Sequence, residues 1–148
     1  EQLDQTIARY AGRPPLAYAT HQWTSLQQGD QAMPLDALAG QTVAAVCGIG
    51  NPGAFEATLK QVAGQVVWTH AMADHARPES ATLHALLQRA ADDGASAVVT
   101  TEKDWVKWRP VLDQPPALPI YRATMAIRWL RGEPAVTRLI AAEMEDTC

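Results

Sequence analysis

From Gln41 onward the apolar positions alternate between two periods, one of a strand and one of a helix. Thr42 to Cys47 is a largely apolar run, which predicts a strand buried on both faces. Gly48-Ile49-Gly50-Asn51-Pro52 ends it, and a helix follows with Phe55, Leu59 and Val62 on one face, stopped at Gly64. Gln65 to Thr69, with Val66, Val67 and Trp68, reads as a second strand, and His70 to Pro78 as a loop. Glu79 to Ala91 carries Leu83, Leu86, Leu87 and Ala90 at helical spacing and closes at Asp92-Asp93-Gly94. Ala97 to Thr100 is a third strand, and Thr101-Glu102-Lys103-Asp104 opens a short helix through Trp105 and Trp108 that Pro110 stops. Leu118 to Ala123 is a fourth strand. Pro134 suits the first turn of a last helix, whose Val136, Leu139, Ile140 and Met144 are expected to face the core.

Strands and helices alternating at these intervals predict an α/β fold, a mostly parallel sheet with helices on both faces. Right-handed crossovers then bring the loops at 48–52, 70–78 and 101–104 to one edge, the C-terminal edge of the sheet. Open α/β sheets bind ligands there.

The first forty residues are patterned differently. Leu3, Ile7 and Tyr10 form a short helical stripe, closed by Gly12 and Pro14-Pro15. Residues 16–38 alternate, turn at Gln28-Gly29-Asp30 and return from Ala32 to Leu38, which predicts a β-hairpin. The expected division is a helix-and-hairpin linker over 1–40 and an α/β domain over 41–148.

Length and composition bound the function. The chain has 148 residues, 47% of them hydrophobic and 19% charged, enough apolar sequence for one packed domain. Twelve basic against sixteen acidic residues leave a formal charge of -4, the wrong sign for a protein that binds nucleic acid unaided. No apolar run approaches the roughly 20 residues of a membrane span. The first residue is Glu1, so an excised or processed piece of a longer chain is expected. Cys47 and Cys148 make no C-x-x-C pair, and Cys47 reads as a small buried apolar residue.

Three segments carry candidate chemistry. In the first, Gly48 and Gly50 permit positive φ, Asn51 can cap a helix, and the exposed N–H groups can hold an anion. A tight strand-to-helix turn without a ligand explains the same residues, and no P-loop lysine follows. In the second, Asp74-His75 lies past a strand end, where an imidazole can take a proton near neutral pH. A solvated histidine beside a capping aspartate is the plainer account. In the third, Thr101 can cap by accepting from the Asp104 N–H, and Asp104 can reach back in a capping box. The functional alternative has Lys103 and the carboxylates Glu102 and Asp104 positioning a charged ligand or another domain. His70, Asp74 and His75 match no established metal spacing, and none is assigned as a ligand. The five tryptophans are read as core or interface residues.

Taken in order, Gly48-Ile49-Gly50-Asn51-Pro52-x-x-Phe55, Asp74-His75 and Thr101-Glu102-Lys103-Asp104-x-Val106-Lys107 resemble the C-terminal half of the tetraacyldisaccharide 4'-kinases, the lipid A 4'-kinases. The resemblance covers nearly the whole chain and is densest from Val43 to Lys107. It implies that this is the second half of a P-loop kinase whose first half carries the Walker lysine and most of the site for ATP and Mg2+. Residues 16–38 would be the linker hairpin between the halves. It further implies transfer of the ATP γ-phosphate to the 4'-hydroxyl of a tetraacyldisaccharide 1-phosphate, at the cytoplasmic face of the bacterial inner membrane. The partners implied are the N-terminal P-loop domain and the lipid A precursor, and a fragment alone is expected to be inactive.

Phosphoryl transfer needs a group to orient or deprotonate the acceptor hydroxyl. By resemblance His75 fills that role together with an aspartate from the N-terminal half, and Asp74 matches the motif carboxylate beside it. Gly48, Gly50, Asn51, Thr101, Glu102, Lys103 and Asp104 match motif positions near substrate or nucleotide. Two departures stand out: Ala76-Arg77-Pro78 replaces the family's usual His or aromatic and Pro, and Trp105 replaces a small residue. The rival from the residues alone is a non-catalytic α/β module that docks a partner or binds a small anion. A stand-alone hydrolase using His75 is a weaker rival, because no Ser or Cys nucleophile stands beside it by motif.

Overall fold

The computed structural model describes residues 2–73 and 78–145. In chain order the elements are α1 (Gln2–Ala11), β1 (Tyr18–Gln28), β2 (Gln31–Met33), a short 3-10 turn (Leu35–Leu38), β3 (Thr42–Cys47), α2 (Pro52–Val62), β4 (Gln65–Ala71), α3 (Ser80–Asp92), β5 (Ala97–Thr101), α4 (Glu102–Trp108), β6 (Ile120–Arg131) and α5 (Glu133–Glu145). The six strands form one sheet in the order β2-β1-β6-β5-β3-β4. β4, β3, β5 and β6 pair in parallel, and β1 pairs with β2 in antiparallel fashion. This is the expected α/β class.

The central parallel strands β3 and β5 are buried on both faces, and their alternation sorts side chains into two apolar layers. Val43, Ala45 and Cys47 of β3 point into one layer with Phe55 and Leu59 of α2, and with Trp23, Leu26 and Leu38. The Trp23 and Phe55 rings meet there with centroids 5.0 Å apart. Ala44 and Val46 point into the other layer with Leu83, Leu87 and Ala90 of α3 and Trp108 of α4. Helix starts follow the local chemistry: the Asn51 side chain accepts from the Ala54 N–H, Pro52 occupies the first turn of α2, and Thr101 caps α4.

The chain packs as two compact units, Trp23–Met125 and, separately, Glu1–Gln22 with Ala126–Cys148. β1 and β6 contribute residues to both units. In the smaller unit Arg131 pairs with Asp4 at 3.4 Å and lies over the Tyr18 ring, and Gly132, at φ +82°, packs against Leu16 and Ala17.

Three expectations need correction. The return strand of the hairpin is only Gln31–Met33, because Pro34 starts a 3-10 turn that buries Leu38. The last strand does not end at Ala123 but runs to Arg131, and its second half is largely exposed, so it lacks the apolar run of a core strand. Finally, α5 does not face a core: Leu139, Ile140 and Met144 are 51%, 55% and 69% exposed. The helical spacing of these residues is real, but it says only that they share a face.

Candidate functional site

β3, β4 and β5 run parallel, so their C-terminal ends lie along one edge of the larger unit. Gly48 follows β3, Met72 and Ala73 follow β4, and Thr101 ends β5. The topology therefore gathers the 48–52 and 101–104 motifs, as the alternation of elements predicted. Asp74 and His75 lie outside the described residues.

The two motifs are bonded to each other across 56 residues of sequence. The Gly48 N–H donates to Asp104 Oδ2 at 2.8 Å. The Thr101 hydroxyl donates to the same oxygen at 2.7 Å, while its own oxygen accepts from the Asp104 N–H at 3.1 Å. Thr101 therefore caps α4 as expected. Asp104 does not complete the capping box by taking the Thr101 N–H; its carboxylate is spent on the Thr101 side chain and on another strand's turn. The Asp104 side chain is fully buried. Its second oxygen, Oδ1, has no hydrogen-bond partner among the described residues.

The glycines of the first motif do different work from that expected. Neither Gly48 nor Gly50 uses positive φ. Gly48 is buried, and a Cβ there would stand 3.0 Å from Asp104 Oδ1, 3.5 Å from the Ala73 carbonyl oxygen and 3.6 Å from the Met72 methyl. Close approach, and not turn conformation, is what glycine supplies at this position. Gly50 is exposed with open space around it, and Asn51 acts as the cap of α2. The Cys47 carbonyl, one residue earlier, accepts from the Met72 N–H at 2.8 Å, which ties the end of β4 to that of β3. The Cys47 thiol sits in this dry wall, where burial, reinforced by the Asp104 charge, pushes its pKa up to about 11.

Glu102 faces a residue that sequence reasoning missed. Arg122 of β6 has a nearly buried side chain, and its guanidinium pairs with Glu102 at 3.2 Å. It also donates to the Gln27 side chain at 3.5 Å and to the Gly29 carbonyl, and it lies over the Trp105 ring with 5.3 Å to the centroid. Arg122 thus braces the first turn of α4 against the hairpin turn, and Trp105 supplies the flat surface on which it rests. An arginine inside a run otherwise read as a core strand was the one available signal.

A second polar cluster lies on α3. Asp113 Oδ1 accepts from Ser80 and meets His84 Nε2, both at 3.0 Å, and these bonds, the one with His84 foremost, hold the Asp113 carboxyl below its usual pKa. The carboxylate stands between hydroxyl and imidazole, so this is not a nucleophile with its base. Among the described residues no group of three or more His, Cys, Asp or Glu side chains is placed to hold a metal ion.

The family model for tetraacyldisaccharide-1-P 4'-kinase matches residues 2–145. The tetraacyldisaccharide 4'-kinase of Anaeromyxobacter dehalogenans strain 2CP-C is 40% identical over 111 residues, covering 73% of this chain and 29% of that protein. The enzyme of the same name from Anaeromyxobacter sp. strain Fw109-5 is 33% identical over 146 residues, covering 97% of this chain and 38% of that protein. The chain therefore spans about a third of the length of the curated relatives it matches. In fold it is similar to LpxK from Aquifex aeolicus, solved in complex with ATP, with a TM-score of 0.53 and 23% identity over 88% of this chain and 36% of that one. With three sequence motifs in order, two of them joined at the edge of an α/β sheet, and a family match over almost every residue, the chain belongs to the tetraacyldisaccharide-1-P 4'-kinase family.

Proposed function

We propose that this chain is the C-terminal part of a kinase that transfers the γ-phosphate of ATP to the 4'-hydroxyl of a tetraacyldisaccharide 1-phosphate in lipid A synthesis. The observation that carries the reading is the hydrogen bond from Gly48 to Asp104, which unites two of the three family motifs at the edge where open α/β sheets work on ligands. In this reading residues 1–40 are the helix-and-hairpin connection and residues 41–148 the second α/β half. Gly50, Asn51, Glu102 and Lys103 lie near substrate or nucleotide, and His75, with Asp74, orients or deprotonates the acceptor hydroxyl.

The P-loop, its lysine and the Mg2+ site belong to the remainder of the longer protein. The smaller unit supports this two-part reading. α1 and α5 hold no buried side chain among the described residues, and Leu3, Tyr10, Leu139 and Ile140 are exposed. Two helices without a core need a further layer to cover their apolar faces, and an N-terminal P-loop domain supplies one. The proposed location is the cytoplasmic face of the inner membrane, held peripherally; no described helix is long and apolar enough to cross a membrane. The anion-binding module is disfavoured at the Gly48 turn, since the Gly48 N–H already serves a carboxylate whose charge repels a second anion.

The test uses the full-length protein with ATP, Mg2+ and tetraacyldisaccharide 1-phosphate. Phosphate transfer to the lipid is expected from the whole protein and none from the 148-residue chain alone. His75→Ala is expected to lower kcat by about 10²–10⁴-fold, the range of a lost general base. Turnover by the isolated chain, or an unchanged rate in the His75 variant, contradicts the reading.

A further inference from the structure

A helix cap and a kinase fold leave Asp104 unexplained. Capping α4 requires only Thr101, whose oxygen takes the Asp104 N–H. A carboxylate taken out of water is costly unless donors compensate it. Here both donors meet Oδ2, and one of them comes from the turn after another strand. The carboxylate of Asp104 thus connects two turns and does more than end a helix.

The connection continues in one direction. Asp104 Oδ1 closes over the Gly48 α-carbon so tightly that a methyl group there would meet it at 3.0 Å. The Ala73 carbonyl and the Met72 methyl close on the same carbon from β4. The residue before Gly48, Cys47, holds the Met72 N–H. The first turn of α4, the end of β3 and the end of β4 therefore meet at the buried Gly48, and in sequence Ala73 is followed directly by Asp74 and His75. Substitution at this point is transmitted because the Ala73 oxygen is backbone and the Asp104 carboxylate is held by two hydrogen bonds in a buried position.

We infer that Asp104 is a positioning residue for the proposed phosphoryl transfer: its carboxylate sets the Gly48 turn and, through Gly48, the exit of β4 at Met72–Ala73. The assignment rests on the kinase reading for its activity readout and on the Gly48–Asp104 bond for its structure. Asparagine at 104 keeps one oxygen for the Gly48 N–H and the Thr101 hydroxyl and sets an amide nitrogen where Oδ1 stands beside Gly48. Geometry survives and charge does not. Alanine loses both.

The experiment measures kcat, KM for ATP, thermal melting and the Gly48 amide proton shift in the full-length protein with Asp104→Ala, Asp104→Asn, Gly48→Ala and the Asp104→Ala/Gly48→Ala pair. For Asp104→Ala, kcat is expected to fall by about 10- to 100-fold, as for a displacement near 1 Å at a reacting group, with KM for ATP unchanged. The Gly48 amide proton then moves upfield. Asp104→Asn retains kcat within about threefold, and Gly48→Ala behaves like Asp104→Ala. In the double variant the loss is no more than about threefold beyond Asp104→Ala, because the atom that the new methyl would strike is gone. The assignment is overturned if Asp104→Ala keeps wild-type kcat, if Asp104→Asn falls as low as Asp104→Ala, or if the two losses multiply in the pair. Should Asp104→Ala fail to fold, the Asn and Gly48 variants decide the matter. An inactive wild-type protein refutes the kinase reading, whereas an unmoved Gly48 amide in a folded Asp104→Ala protein refutes the positioning role independently.

Discussion

Gly64→Ala is the sharpest test of how the larger unit is assembled. Gly64 joins α2 to β4, and its N–H donates to the Leu38 carbonyl at 3.2 Å. The next residue, Gln65, donates to Gln41 at 3.0 Å as β4 enters the sheet. A Cβ on Gly64 would sit 2.6 Å from both the carbonyl carbon and the α-carbon of Gly40 and 3.0 Å from the Gln41 nitrogen. Ordinary contact begins at 3.4 Å, so two backbones must part by 0.8 Å. No side chain can rotate away to relieve this, and overpacking of that kind costs about 1–3 kcal/mol. Parting also strains the bonds to Leu38 and Gln41, each worth about 0.5–1.5 kcal/mol net. The sum is about 2–6 kcal/mol, a large share of the roughly 5–15 kcal/mol that keeps a domain folded. Urea unfolding followed by tryptophan fluorescence reads it. With a slope of about 2 kcal/mol/M the midpoint should drop by about 1–3 M while the slope stays constant. Gly50→Ala is the control: nothing lies within 4 Å and φ is not positive, so its effect should stay within about 0.5 kcal/mol. Equal midpoints for Gly64→Ala and Gly50→Ala would show that the β3 and β4 entries are not packed backbone to backbone.

Arg122→Ala should destabilise by about 1–3 kcal/mol, because the Gly29 carbonyl and the Gln27 side chain lose a charged donor. Arg122→Lys should not restore it, since one ammonium cannot span Glu102, Gln27 and Gly29; full recovery in urea unfolding would refute the bracing role. With Cys148→Ser leaving one thiol, Cys47 should resist a thiol reagent at pH 8 in folded protein and react once unfolded. Its raised pKa means that its contribution to stability is whole below pH 9.0 and is lost as pH rises toward about 11, the unfolded thiol ionising first. For Asp113 the sign is reversed: its lowered pKa favours the folded state above pH 3.8 and that contribution disappears as pH falls through the folded value. His84→Ala should move the Asp113 carboxyl titration, followed by carbon NMR, back toward 3.8; an unchanged titration would count against the His84 bond as its main cause.

Much of the fold was readable from periodicity because burial on both faces leaves little choice of residue. Val43 to Cys47 and Ala97 to Val99 are apolar in the sequence and wholly enclosed in the structure. Asn51, Pro52 and Thr101 marked helix starts correctly because capping is a local matter of one side chain and the next turn. Where an element is half solvated the signal faded. The outer half of β6 mixes Thr124, Ile127, Arg128 and Arg131, and only pairing within the sheet makes it a strand. The α5 stripe carried the converse error: spacing reports a shared face and not what, if anything, covers it.

By itself the sequence determined the α/β class, the order of strands and helices, the helix starts, and the convergence of two motif loops on one edge, since right-handed parallel connections admit little else. Tertiary structure alone decided what those motif residues do. Nothing local in Gly48 announces that a carboxylate 56 residues away will occupy the space of its missing side chain. Nothing local in Arg122 announces that Glu102, Gln27 and Gly29 will converge on it. Periodicity encodes which way a side chain faces; the partner it meets there depends on how distant strands are ordered in the sheet.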